Sequence, residues 1–245
     1  MRLRLLVLGA VGTCVFALSG CSNAPGRPTP ADIPVNPGEV TDFAVLYGQN
    51  CAGCHGENGK GGAAIALADP VYLSIADDSV VRRRTANGIP GTSMPAFAQS
   101  AGGMLTEKQI DALVAGIRER WSQPDVLRGA NPPPYSSPAP GDPVRGSEVF
   151  TKYCSSCHGA GGRGGPKGSA IVDGSLLALL DDQELRTLVI VGRPELGAPD
   201  WRGNVPGQPM SAQEVSDVVA WLASERPKFP GQPYPNVAKS MGELR

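Results

Sequence analysis

The apolar positions of this chain fall into two series that run the same course. In the first, Ile110, Leu113, Val114, Ile117 and Trp121 recur at helical spacing. Thr106 and Gln109 stand just ahead of them as a capping box. In the second, Val215, Val218, Val219 and Leu222 form the stripe, with Ser211 and Glu214 as the box. Each half also predicts a middle helix, Ser79 to Asn87 and Asp181 to Val191. Each begins with a helix as well, Asp42 to Asn50 in one half and the segment carrying Val149 and Phe150 in the other. Between these stretches the chain is Gly-rich and without period, and no βαβ setting appears.

Polar and Pro-rich stretches divide the chain. Residues 1–20 read as a lipoprotein signal peptide: Arg2 and Arg4, then an apolar run from Leu5 to Leu18 that is short for a membrane span. Leu18-Ser19-Gly20-Cys21 resembles the lipobox of bacterial lipoproteins, which makes Cys21 the expected site of lipidation. Residues 21–38 then form a Pro-rich tether. The first domain spans 39–127, a Pro-rich linker 128–142, the second domain 143–227 and a tail 228–245.

The same short motif opens each domain: Cys51-Ala52-Gly53-Cys54-His55 and Cys154-Ser155-Ser156-Cys157-His158. C-x-x-C-H reads as covalent attachment of a c-type haem. Two thiols must reach the two vinyl groups of one porphyrin, and the adjacent His must then come under the iron. A thioredoxin-like pair or half a zinc site are the rival readings of a lone C-x-x-C. Neither accounts for His and then Gly following the motif twice. Two covalent haems are therefore expected, held by Cys51, Cys54, Cys154 and Cys157.

Only two His occur, both inside the motifs, so each iron has one His, His55 or His158. A sixth ligand must be Met, a weaker donor, water, or nothing. The candidates are Met1, Met94, Met104, Met210 and Met241, and Met1 leaves with the signal peptide. All six Cys are then used, four for haem, Cys21 for lipid and Cys14 in the signal, leaving none for a disulfide. Without Arg2 and Arg4 the chain keeps 20 basic against 23 acidic residues, which gives no case for nucleic-acid binding. Aromatics are only 5%, and domains of roughly 85 residues are marginal on side chains alone. A buried porphyrin would supply the missing apolar area.

The motif, the aromatic four residues before it (Tyr47 and Phe150), the Met-Pro segment and the closing helix resemble the class I cytochrome c family, once per domain. That resemblance implies an all-α fold of two tandem domains wrapped on haem, with first and last helices crossing, and one-electron transfer as the usual role. It makes Met94, 39 residues after His55, the axial ligand of the first haem. In the second domain Gly192 to Trp201 matches Gly88 to Phe97 without a gap, and the axial slot holds Ala198. Met210 is then the nearest candidate. It either crosses to the iron as sixth ligand, the reading slightly preferred, or packs against Val215 as a hydrophobic staple.

The family also places a Gly eight residues before the first Cys, under an aromatic of the last helix. The second domain has Gly146 there, facing Trp221. The first has Phe43, facing Gly116. Large and small residues are exchanged, and Phe43 should pack on Gly116. Arg82-Arg83-Arg84 could meet an acidic partner or a propionate, or be a solvated helix face. Arg193 and Arg202 could each pair a propionate.

The expected protein is a lipid-anchored dihaem cytochrome c on the periplasmic or other extracytoplasmic face of a membrane. It would pass single electrons among membrane-bound redox complexes or other cytochromes, as a shuttle or a subunit. The alternative is a haem enzyme, peroxidase-like or acting on another small molecule, that uses an open site at the second haem.

Overall fold

A computed structural model describes residues 34–227, with Gly26, Thr29 and Asp32 ahead of them. The signal peptide, Cys21, most of the tether and the tail lie outside the described residues. Residues up to Glu39 form one unit; its described residues include a Thr29–Asp32 hydrogen bond of 2.7 Å and a short turn, Pro37–Glu39. Everything from Val40 onward belongs to a second unit.

That unit is helical, with no strand beyond two single bridges among the described residues. The first domain runs α1 (Phe43–Asn50), α2 (Ala52–His55), α3 (Pro70–Ile75), α4 (Asp78–Asn87) and α5 (Glu107–Trp121). The second runs α6 (Pro143–Tyr153), α7 (Ser155–His158), α8 (Gly174–Ala178), α9 (Asp182–Val191) and α10 (Ala212–Ser224). Nearly every long helix starts where a side chain satisfies its first free N–H groups. Asp42, Asp77 and Asp142 cap α1, α4 and α6, and full capping boxes open α5, α9 and α10. The expected helices are all present to within a residue or two. Two short ones, α3 and α8, arise in stretches that look irregular in sequence. Asp69 and Asp173 cap them, and Pro70 stands at the first position of α3.

In each domain the first and last helices cross, and the exchange of large and small residues holds at both crossings. A Cβ added to Gly116 would lie 2.1 Å from Cδ2 of Phe43. A Cβ on Gly146 would lie 2.0 Å from the Asp217 carbonyl oxygen and 2.7 Å from Cβ of Trp221. Phe43 also stacks on Tyr47 and meets the edge of Trp121, while Phe150 packs on Trp221 at 4.4 Å. The second crossing carries an ion pair too. Arg145 grips Asp217 with two N–H groups at 2.9 and 3.0 Å, and Asp217 is only 3% exposed.

The two domains share one core. A continuous buried cluster runs from Val71, Tyr72 and Leu73 through Val114 and Ile117 to Phe150, Ile190 and Val218. Burying each such side chain contributes about 1.5–3 kcal/mol, so the domains are packed together rather than hung on a string. The Pro-rich linker is also held down. Arg186, 2% exposed, donates to the carbonyls of Pro134 and Tyr135 and to the Ser216 hydroxyl. Gln183 donates to the Tyr135 carbonyl and Gln213 to that of Pro140.

Candidate haem sites

Each C-x-x-C-H motif spans the joint between a first helix and the short helix after it. The chain breaks at Cys51 and at Cys154, then turns once more, so that His55 and His158 end α2 and α7. The residue after each His is a Gly for a physical reason. Gly56 and Gly159 take φ of 83° and 74°, and a Cβ there would lie 1.9 and 2.0 Å from carbonyl oxygens of the returning loop. These loops come back under the histidines. Nδ1 of His55 lies 2.8 Å from the Ile65 carbonyl, and Nδ1 of His158 lies 2.8 Å from the Ser169 carbonyl. A carbonyl only accepts, so the ring proton sits on Nδ1 and the Nε2 lone pair is left for a metal. Burial lowers the His55 pKa, which favours the neutral ring, the form a ligand requires.

The four thiols are free of disulfides. Burial pushes Cys51 and Cys154 up to about 11, the opposite of the lowered thiol that a thioredoxin-like pair needs. No group of three or more His, Cys, Asp or Glu side chains forms a metal cage among the described residues. The donor sets fit a c-type haem and not the rival readings.

Residues 38–115 match the family model described as cytochrome c oxidase, cbb3-type, subunit III, and residues 143–225 match that described as cytochrome c. The chain belongs to the cytochrome c family. It carries two such domains in tandem. Among its relatives is the cytochrome bc1 complex cytochrome c subunit of Corynebacterium diphtheriae, 26% identical over 196 residues, which are 74% of this chain and 64% of that protein. The Mycobacterium bovis protein of the same name is 24% identical over 178 residues, 72% of this chain and 60% of that one. The cbb3-type cytochrome c oxidase subunit CcoP of an Azospirillum species is 30% identical over 124 residues, 46% and 37% of the two chains. The cytochrome thus spans less than two thirds of the first two relatives.

The matching segments of the two cytochrome domains share one backbone hydrogen bond. Ile89 N–H donates to the Met94 carbonyl at 3.0 Å, and Arg193 N–H donates to the Ala198 carbonyl at 2.9 Å. Gly88 and Gly192 close both turns, with φ of 64° and 70°. Ala198 therefore stands where Met94 stands, as the gapless match requires. Met94 is partly exposed. Met104, another of the candidate methionines, is 85% exposed.

Met210 has the place in the second domain that Leu105 has in the first. Leu105 N–H donates to the Phe97 carbonyl at 2.7 Å, and Met210 N–H donates to the Trp201 carbonyl at 3.0 Å. Its side chain is 2% exposed in the core cluster that holds Val215, and the Asn204 amide lies 3.9 Å from its sulfur. The segment from Trp201 to Met210 is only one residue longer than that from Phe97 to Leu105. It closes on an equivalent backbone hydrogen bond, without the Gln99–Ala101 turn and the Ala98–Leu105 bridge of the first domain.

The arginines raised as propionate partners hold the domains together. Arg193 donates to the Gly62 carbonyl at 2.9 Å, beside the loop that anchors His55, and pairs with Glu195. Arg202 pairs with Asp200 and reaches the Val126 carbonyl at 3.3 Å. Of the Arg run, Arg82 pairs with Glu107 and Asp111, Arg84 with Asp181 of the second domain, and Arg83 is exposed. Arg186 and Asp217 escaped the sequence reading. A charged residue on an otherwise apolar stripe was the available signal in both cases.

Proposed function

We propose that this cytochrome is an extracytoplasmic, lipid-anchored carrier of single electrons that works with a membrane-bound respiratory complex. One haem would be held by Cys51, Cys54 and His55, with Met94 as its sixth ligand, and a second by Cys154, Cys157 and His158. Once bound, the iron porphyrin supplies the one-electron couple. The chain's part is to fix the tautomer of each His through the Ile65 and Ser169 carbonyls and to lock the two sites together. The single observation that carries the reading is the pair of equivalent Nδ1–carbonyl anchors, each behind a C-x-x-C-H motif.

The relatives named as bc1 complex and cbb3 oxidase subunits support a complex of that class as partner. The Leu-Ser-Gly-Cys segment supports lipid on Cys21 and residence outside the cytoplasm. The shared core and the Arg193 clasp support electron passage between the domains through a rigid arrangement. Purification from membranes, a pyridine haemochrome assay and intact mass test all of this. The expected material is red, carries two haems and a lipidated N-terminal Cys, and is oxidised or reduced by a quinol-oxidising complex or an oxidase. Colourless protein, or one haem per chain, would refute it.

A further inference from the structure

We infer that no side chain of the described residues takes the distal coordination position of the second haem site, and that a small exogenous ligand binds there, of the neutral diatomic class that binds reduced haem iron. This rests on the haem assignment proposed above, and it concerns what this chain's own residues supply. The slot equivalent to Met94 holds Ala198, whose carbonyl accepts the equivalent backbone hydrogen bond behind an equivalent left-handed Gly. A methyl group has no lone pair to donate. The nearest thioether, Met210, is packed in Leu105's place with the Asn204 amide against its sulfur. Met104 belongs to the first domain and points outward, 85% exposed. No third His exists in the chain.

The segment that lost the thioether also has another use. Arg193, one partner of the Ala198 bridge, reaches across to the Gly62 carbonyl of the first domain and is braced by Glu195 at 2.5 Å. The corresponding Ile89 makes no such contact possible. At its other end the Trp201 N–H donates to the Ile190 carbonyl at 2.9 Å, so the segment is held at both ends and cannot swing to bring a distant donor in. The two domains thus divide the work: one turn presents a sixth ligand, and its counterpart fastens the domains and leaves the coordination position to solvent or a small molecule. Thioether ligation raises a haem's potential, so the second site should also be the lower-potential one.

The probe is carbon monoxide, added to the dithionite-reduced full-length protein after two haems per chain have been counted by pyridine haemochrome. The expected uptake is one equivalent per chain, with half of the reduced haem spectrum shifting. Met210→Leu, which copies the first domain, should leave that uptake unchanged. Ala198→Met should remove it and add a second Met-ligated signature in the oxidised spectrum. A chain with fewer than two haems fails the haem assignment before any gas is added. A two-haem chain that takes up no carbon monoxide, or does so only after Met210→Leu, overturns this inference alone. Persistent uptake by Ala198→Met would overturn the equivalence of the two slots.

Discussion

Adding one methyl group at each helix crossing should separate two kinds of tight packing. In Gly116→Ala the new Cβ would lie 2.1 Å from Cδ2 of Phe43. Phe43 is only partly buried, and its ring can turn outward. In Gly146→Ala the new Cβ would lie 2.0 Å from the Asp217 carbonyl oxygen, which is helix backbone and cannot turn away. There α6 and α10 must move apart, which also stretches the Arg145–Asp217 pair. Overpacking costs about 1–3 kcal/mol where side chains yield. Replacing a helix Gly returns about 1 kcal/mol of propensity. Gly116→Ala should therefore be near neutral to about 2 kcal/mol destabilising. Gly146→Ala should cost about 3 kcal/mol or more. Chemical denaturation of the holoprotein, followed by far-ultraviolet circular dichroism and haem absorbance, reads both. In a Phe43→Ala background the Gly116→Ala penalty should vanish, because the clashing ring is gone; a double-mutant cycle exposes that coupling. Equal effects at the two glycines, or a stabilised Gly146→Ala, would refute the account of the crossings.

Other consequences are smaller in scope. Asp217, held by Arg145 at about 2 against an ordinary 3.8, stabilises the fold fully above pH ~3.8, and that support is lost as pH falls through ~2. Acid titration of thermal stability should therefore be visibly flatter below pH 4 in Asp217→Asn. Arg186→Leu should loosen the linker, read as new proteolytic cleavage between residues 128 and 142 while haem content is kept, because the Pro134 carbonyl loses its Arg186 donors and the Tyr135 carbonyl keeps only Gln183. Arg193→Ala should slow electron exchange between the haems without changing either Met94 or His ligation, measured by flash-induced kinetics beside the optical spectrum. Met94→Ala should lower the potential of the first haem and open it to carbon monoxide, so that uptake doubles.

The features legible in the sequence are those written within a few neighbouring residues. The C-x-x-C-H motifs, the capping boxes at Thr106 and Ser211 and the helical stripes behind them depend on short-range spacing, and all are present in the structure. The exchange of Phe43 and Gly116 against Gly146 and Trp221 was legible too, because two repeats in one chain act as each other's control. Only the tertiary structure decided the rest. The packing of Met210 among the core residues depends on which distant surfaces close on it. The roles of Arg186, Arg193 and Arg202 depended on backbone carbonyls far along the chain, and a carbonyl carries no sequence signature. Pattern therefore announces covalent chemistry and local hydrogen bonds, whereas long-range packing chooses between partners that the pattern leaves equally open.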